Sequence, residues 1–397
     1  VPPTVLEILV EIAAGLLLFP VTLLFVEVVS ASIPRPPVKQ PRGERRQVAV
    51  LIPAHNESTL IASTLEAIGP QLASSDRLIV IADNCTDDTA AVAASAGAES
   101  IVRTDQIKRG KGFALDFGVQ HLARSPPDVV IVVDADCRVA AGAIDTLART
   151  CDSSGRPIQA LYLMRAPAGA GIKTQTAEFA WTVKNLVRPT GLHRLGLPCH
   201  LTGSGMAFPW ALISSATLAT GHIVEDLKLG IDLARRGTPP CFCPEALVTS
   251  EFPLSSAGAA SQRARWEHGH LSVILGEAPG LAWDSLIRFD PNLLALAFDV
   301  LVPPLALLTL LVGAAWAAAC ISFLLTKSLL PIAMATLAAL LLAASVLLAW
   351  TMYGRNIVSL HKLAFAAIYA PLKLPLYLKF LFARQTAWVR SKRDHED

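Results

Sequence analysis

The chain has 397 residues, 53% of them hydrophobic and only 17% charged, with a mean hydropathy of +0.48. That profile lies well to the apolar side of an ordinary soluble domain and argues against a purely soluble globular enzyme. Lysine and arginine number 34 against 32 acids, and a net charge of +2 sets up no field that would point to nucleic acid as a partner.

The charges are unevenly placed. Residues 35–292 carry 50 of the 66 Asp, Glu, Lys and Arg, and residues 293–383 carry six. A polar middle is therefore flanked by lipid-like ends. The seven cysteines (85, 137, 151, 199, 241, 243, 320) form no regular framework, so they read as reduced, buried thiols of a cytosolic compartment. Cys241 and Cys243, with Cys199 and His200 upstream, lack the paired spacing of a zinc site.

In chain order, the uncharged run at 12–26, flanked by Glu7, Glu11 and Glu27, predicts a membrane anchor over residues 1–34, with a buried soluble helix as the alternative. Arg35, Lys39, Arg42, Arg45 and Arg46 follow in a proline-rich linker over 35–46. The positive-inside rule places that linker in the cytoplasm and the N-terminus outside. A cleaved signal peptide fits less well, because the basic residues follow the apolar run.

From residue 47 the pattern alternates between short aliphatic runs (VAVLIPA, LIVIADN, VVIVVDADC) and polar helix-like stretches, which predicts an α/β domain with parallel strands over 47–292. Ligands of such sheets bind at the carboxyl ends of the strands. Three polar clusters fall there: Pro53-Ala54-His55-Asn56-Glu57, Asp83-Asn84-Cys85-Thr86-Asp87-Asp88-Thr89 and Asp134-Ala135-Asp136. Asp134 and Asp136, two apart on a strand, would face the same way, and two ionised acids so placed call for a hard divalent cation.

No G-x-x-x-x-G-K-[ST], G-x-G-x-x-G or G-x-S-x-G occurs, which counts against a P-loop NTPase, a dinucleotide oxidoreductase and an α/β-hydrolase. Arg109-Gly110-Lys111-Gly112 offers two cations for phosphate on a flexible glycine pair. His222 to Asp226 opens an amphipathic helix that ends in Arg235-Arg236-Gly237. Gln262, Arg265 and Trp266 stand at i, i+3 and i+4, on one helix face, and combine an amide, a guanidinium and an indole suited to hydroxyls, phosphate and a sugar ring.

Residues 300–326 and 328–354 are each 27 residues without a charge and predict two membrane helices within 293–354, with Pro303 and Pro304 at the start of the first and Lys327 in the connection. The run at 363–382 carries Pro371, Pro375, Lys373 and Lys379, and reads as an interfacial or re-entrant segment within 355–397. A basic tail with Arg384, Arg390, Lys392 and Arg393 completes a three-span topology with a cytosolic domain and C-terminus at the inner membrane. A transporter is disfavoured, since neither uncharged run holds an ionisable residue.

In order, PAHNE, DNCTDDT, DADC, GSGMAF, VED and QRARW over about residues 47–270 resemble the family 2 glycosyltransferases of the GT-A fold. The flanking segments look like those of the membrane-bound branch, with cellulose, chitin and hyaluronan synthases and ceramide glucosyltransferase. The resemblance implies that Pro53, Ala54, His55 and Glu57 line a nucleotide pocket, that Asp83 contacts the base or ribose, and that Asp136 with Asp134 holds Mg2+ or Mn2+ and the donor diphosphate. Lys111 would join the donor side. Asp226 matches the general base, its pKa lifted with help from Glu225, in a single inverting displacement. Gln262, Arg265 and Trp266 would bind the leaving diphosphate and the acceptor, and Gly203-Ser204-Gly205 resembles the segment beneath the acceptor.

Departures are Asn84 where many members have a second acid and Val224 where cellulose synthases have threonine. The expected activity is transfer of one sugar from a nucleotide sugar, by analogy a UDP-sugar, to a lipid-linked or glycan acceptor near the membrane, in glycolipid or cell-envelope glycan synthesis. Three spans are few for a polymer channel, so a processive synthase coupled to export is the first alternative. A catalytically silent subunit among polysaccharide-assembly partners is the second.

Overall fold

A computed structural model of the chain describes residues 5–34, 45–222, 224–253 and 256–382. Arg35, Lys39 and Arg42 of the basic linker and the basic residues of the tail lie outside them.

Eight strands form one sheet: β1 (Val48–Ala54), β2 (Arg77–Asp83), β3 (Glu99–Arg103), β4 (Val129–Val132), β5 (Arg138–Val139), β6 (Ile158–Arg165), β7 (Met206–Pro209) and β8 (Cys241–Glu251). Their spatial order is β3-β2-β1-β4-β7-β6-β8-β5. The first four run parallel, as the aliphatic runs predict, whereas β7 is antiparallel to both β4 and β6, and β5 is antiparallel to β8. β1, β2 and β4 are Val/Ile/Leu-rich because helices cover both faces of the sheet. On one face α2 (Ile61–Ile68), α3 (Thr89–Ser95) and α5 (Ala143–Ser154) bury Ile61, Leu65, Ala93, Ile144 and Leu147. On the other, α4 (Lys111–Leu122), α8 (Trp210–Ser214) and α9 (Glu225–Arg235) bury Leu115, Leu122, Ile213 and Leu233.

A helical layer sits beside this sandwich. α1 (Val5–Ala31) packs against α13 (Leu305–Thr326), α14 (Leu329–Ala349) and α7 (Arg188–Arg194). The segment before α7 is α6 (Ile172–Thr182), joined to it by one π-helical turn at Val183–Val187. α10 (Ser256–Gly276), α11 (Ala278–Arg288) and α12 (Pro291–Leu301) link α9 to the apolar helices. Among the described residues three helices, Val5–Ala31, Leu305–Thr326 and Leu329–Gly354, are long and apolar enough to cross a membrane. Pro304 caps α13 and Lys327 ends it with φ of +60°, as the sequence predicts.

The N-terminal helix is longer than the uncharged run and contains all three flanking glutamates. Glu27 is accommodated because Arg188 Nε donates to its carboxylate at 2.6 Å, and the other arm of the guanidinium donates to the Asp299 carbonyl at 2.7 Å and carboxylate at 2.5 Å. A buried charge is tolerable only when paired in this way. Gly191 is required at the crossing, since a Cβ there would lie 1.9 Å from the Glu27 carbonyl oxygen. Together these contacts fasten the first apolar helix to the sheet domain. Arg45 and Arg46, two of the linker cations, are ion-paired with Asp76 and Asp152 of that domain. Beyond α14 the run at 363–382 is broken into α15 (Leu360–Tyr369), a 3-10 turn and α16 (Leu374–Phe382), pieces too short to span.

Candidate active site

The carboxyl ends of β1, β2 and β4 open into a cleft of about 280 Å³, closed on the far side by α7, α9, α10 and α12. Pro53, Ala54, His55, Glu57 and Asp83 line one end; Lys111, Asp134, Asp136, Gly203, Glu225 and Asp226 line the middle; Gln262, Arg265 and Trp266 line the opposite wall. Fourteen of the fifteen residues assigned from sequence are thus brought to one cleft. Ser204 is the exception.

The first two strands end alike. Asn56 and Asn84 both adopt left-handed backbone, φ of 55° and 52°, a conformation that asparagine tolerates better than most residues. The turns so made lock together: Thr86 N–H donates to Asn56 Oδ1 at 2.7 Å, Glu57 N–H to Thr89 Oγ1 at 2.8 Å and Ser58 N–H to Asp87 at 3.1 Å. Burial works against the Asp87 carboxylate, yet the hydrogen bonds from Thr89 and Ser58 outweigh it and hold its pKa low. His55 Nδ1–H donates to the Asp83 carbonyl at 2.6 Å, which fixes the ring at the rim. The Asp83 carboxylate accepts from Arg103 at 2.5 Å. Arg103, at the end of β3, was not singled out in the sequence, although an arginine closing an aliphatic strand beside an acidic cluster is the signal that marks it.

The metal motif is built differently from the sequence expectation. β4 stops at Val132, so Asp134 and Asp136 lie in a turn past the strand, closed by Cys137 N–H to Asp134 C=O at 3.1 Å. The turn, and not strand alternation, puts the two carboxylates together. Thr64 Oγ1 donates to the Ala135 carbonyl at 2.8 Å and braces it from below. Ligand atoms of Asp134, Asp136 and Cys137 lie within 4.8 Å of one another. Burial, with Asp136 and Asp134 nearby, pushes the Cys137 thiol well up, which leaves oxygen as the anionic donor type of this group. Ser204 is fully buried under the turn: its Oγ accepts from Asp134 N–H at 3.1 Å and donates to Cys137 Sγ at 3.2 Å. It positions the turn and does not line the cleft, so an acceptor-binding role for Ser204 could act only through the turn above it and not by contact.

Lys111 opens α4, and its ammonium pairs with Asp134 and donates to the Gly203 carbonyl at 2.7 Å. Arg109 turns away to Gln106, so only one of the two expected cations enters the cleft. Gly203, with φ of +99°, leaves room for the centre of the site: a Cβ there would lie 3.3 Å from Asp226 Oδ2, 3.8 Å from Lys111 Nζ and 4.0 Å from Asp134 Oδ2. Base candidate, cation and metal-motif acid converge on that point. Burial opposes the Lys111 charge, but Asp134, Glu225 and Asp226 outweigh it and raise its pKa. Desolvation, with help from Asp136, raises Asp134 despite Lys111. Glu225 is pushed up to about 7 by burial and then by Asp226.

The opposite wall is aromatic. Trp266 packs on Trp181 with ring centroids 4.6 Å apart, and Trp181 meets Tyr162 edge-on at 5.7 Å. Gln262, Arg265 and Trp266 share one face of α10, as their spacing predicts. The π-helical turn delivers Lys184 and Asn185 to the same wall, two residues that the sequence pattern did not single out. Such turns recur at functional sites. The only local sequence signal was a polar pair set between Val183 and Leu186. Desolvation by the surrounding wall lowers the Lys184 pKa, opposed in part by Asp226, although the residue keeps an exposed surface. His270 is pushed down to about 3 by burial and by Lys184 and Arg188, so its neutral ring donates Nε2–H to the Val300 carbonyl at 3.1 Å.

A family model described as "Glycosyltransferase like family 2" matches residues 45–269. The chain is 26% identical over 247 residues to a probable glycosyltransferase YdaM of Bacillus subtilis, spanning 58% of this chain and 57% of that protein. It is 37% identical over 97 residues to a glucosyl-3-phosphoglycerate synthase of Mycolicibacterium paratuberculosis, spanning 23% of this chain and 29% of that one. The chain thus spans little more than half the length of the first of these relatives and less of the second. The mannosyltransferase PcManGT of Pyrobaculum calidifontis, solved with GDP-Man and Mn2+, superposes with a TM-score of 0.58 at 17% identity, over 95% of this chain and all of that one. The shared fold therefore includes the flanking helices as well as the sheet domain.

Proposed function

Because the chain belongs to the family 2 glycosyltransferases, we propose that it is a membrane-anchored, inverting enzyme that moves one sugar from a nucleoside diphosphate sugar to a hydroxyl of a lipid-linked or membrane-proximal acceptor. The observation that carries this reading is the convergence of Asp226, Lys111 and Asp134 on the open space above Gly203. In this reading Pro53, Ala54, His55, Glu57 and Asp83 take the nucleoside, of a UDP-sugar first. Asp136 and Asp134 hold Mg2+ or Mn2+. The donor set fits a hard cation, since carboxylate oxygens of Asp134 and Asp136 lie within 4.8 Å of each other, with the Lys111 ammonium paired to the first. When bound, the ion offsets the charge of the donor diphosphate.

The rest of the chemistry falls to side chains. Asp226 takes the proton of the acceptor hydroxyl as its oxygen attacks the anomeric carbon, the bond from that carbon to the diphosphate oxygen breaks, and the configuration inverts. Lys111 and Arg265 meet negative charge on the departing diphosphate. Gln262 and the Trp266 ring orient the sugar and the acceptor. Glu225 stands beside Asp226 in the first turn of α9.

The three apolar helices support a multi-pass anchor in the cytoplasmic membrane with the catalytic domain on the cytosolic side, and a place in glycolipid or envelope glycan synthesis. The test is a panel of nucleotide sugars incubated with the full chain, Mn2+ or Mg2+, and membrane lipid extract. Metal-dependent release of nucleoside diphosphate together with one glycosylated lipid product is the expected result. A ladder of long polymers would overturn single transfer, and no release with any donor would overturn the catalytic reading.

A further inference from the structure

Beside the cleft lies a second chamber of about 120 Å³ that shares Trp181, Lys184, Arg188, Trp266 and His270 with it. Its outer walls include Leu24 of α1 and Leu305 and Ala306 at the start of α13, so it sits between two helices that are long and apolar enough to cross a membrane. Four cations line it (Lys184, Arg188, Arg263 and Lys373) against one acid, Glu267. Arg188 is held by Glu27 and Asp299, and Lys373 by Glu267 at 2.7 Å. Among the described residues Lys184 makes no ion pair: its ammonium lies 5.7 Å from the Trp181 ring centroid, at the seam between cleft and chamber.

Next to Lys184, Asn185 is 2% exposed, and its Nδ2 donates to the Tyr162 carbonyl at 3.2 Å. Its buried Oδ1 has no partner, and neither has the Thr202 hydroxyl across the cleft. Buried polar atoms are seldom left in that state unless a ligand or water completes them. An unpaired cation calls for an anionic oxygen, Asn185 Oδ1 for a donor such as a hydroxyl, and the apolar chamber for hydrocarbon. A free phosphate would answer only the first, and a neutral sugar only the second.

We propose that the acceptor is a phospholipid with a free hydroxyl in its headgroup, seated with the upper part of an acyl chain in the chamber between α1 and α13, its phosphate on Lys184 and its hydroxyl within reach of Asn185 and Asp226. The role given to Asp226 rests on the glycosyltransferase reading above; the lipid seat rests on the chamber and the unpaired groups.

The test uses the full chain in phosphatidylcholine vesicles with a trace of phosphatidylglycerol that carries a photoreactive diazirine in one acyl chain. After illumination, labelled peptides should map to 177–184 and 302–306, and unlabelled phosphatidylglycerol, but not phosphatidylcholine, should displace the label. Lys184→Gln should cut that labelling about tenfold while Lys184→Arg retains it. Ala180→Trp, which fills the chamber and leaves Lys184 in place, should remove it. Labelling confined to the outer faces of the apolar helices, equal displacement by phosphatidylcholine or by soluble glycerol phosphate, or a Lys184→Gln chain that labels like the parent would overturn the proposal. Nucleoside diphosphate release, measured in the same vesicles, reads the catalytic assignment separately. Labelling without release would keep the lipid seat and sink the catalytic reading, and release without labelling would do the reverse.

Discussion

Two clusters of buried charge border the same cleft, and their composition separates structure from chemistry. Around Arg188 two carboxylates, Glu27 and Asp299, share one guanidinium through short hydrogen bonds, with His200 3.4 Å from Asp299. Burial would raise the Asp299 carboxyl, but Arg188 and His200 outweigh it and hold it below its ordinary value. Around Lys111 four acids, Asp134, Asp136, Glu225 and Asp226, act on one another and on a single ammonium. The first cluster comes within one formal negative charge of balance and ties α1 and α12 to α7. The second has a formal excess of three acids over cations and faces open space. Burial alone therefore does not mark the functional site; a surplus of one sign aimed into a cleft does.

The sharpest way to break this comparison is to remove the central cation of the balanced cluster. Arg188→Met strands two buried carboxylates, and the expected loss is about 3–5 kcal/mol of unfolding free energy, read by chemical denaturation in detergent. Adding Glu27→Gln and Asp299→Asn to that variant should restore most of the loss. A change below about 1 kcal/mol would show that Arg188 is not a structural tie. In the acid-rich cluster the same kind of substitution should act on turnover instead: Asp226→Asn should lower kcat by about 10²–10⁴-fold. Because it relieves repulsion, it should leave the unfolding midpoint unchanged or slightly raised.

How much of this was legible in the sequence follows the same division. The strand side of the cleft was readable because its polar residues sit at the ends of neighbouring parallel strands, where an aliphatic run stops: His55 and Glu57 after β1, Asp83 at the end of β2 and Asp134 and Asp136 after β4. The helix face of Gln262, Arg265 and Trp266 was readable from spacing alone. Three features were not. The turn that sets Asp134 beside Asp136 depends on where β4 ends, which is decided by its antiparallel partner β7 and by Gly205 N–H bonding to Val132. The Glu27–Arg188 pair joins residues 161 apart in the chain, and Glu27 looked like the polar edge of an apolar segment. Lys184 and Asn185 reach the cleft only because a π-helical turn rotates them there, and no residue pattern in 183–187 announces such a turn.

A smaller effect tests whether the surplus acid is matched by a metal. Mn2+ that binds only the folded chain should stabilise it by about 2.7 kcal/mol at a concentration one hundred times its Kd. Asp136→Asn should abolish that gain, while Arg188→Met, although less stable at the outset, should keep it, because it leaves Asp134 and Asp136 untouched. Equal Mn2+ stabilisation in parent and Asp136→Asn chains would place the ion elsewhere.

The smallest expected effect lies in pH dependence, with chelator present. Glu225 is raised in the folded chain from its ordinary value of 4.5 to about 7, by burial first and Asp226 second. Between those values the folded chain keeps a proton that the unfolded chain has released, so stability falls as pH rises. The contribution is fully present below about pH 4.5 and is lost by the time the pH has passed about 7. Asp87 and Glu99, whose carboxyls are held low by hydrogen bonds despite burial, act in the opposite sense but below their ordinary values of 3.8 and 4.5, outside that window. Glu225→Gln cannot titrate, so the difference in unfolding midpoint between parent and variant should change steadily across the window and level off above it. If the two chains ran parallel, Glu225 would be ionised throughout, and the surplus acid would have to be offset by a cation other than Lys111 even before metal is added.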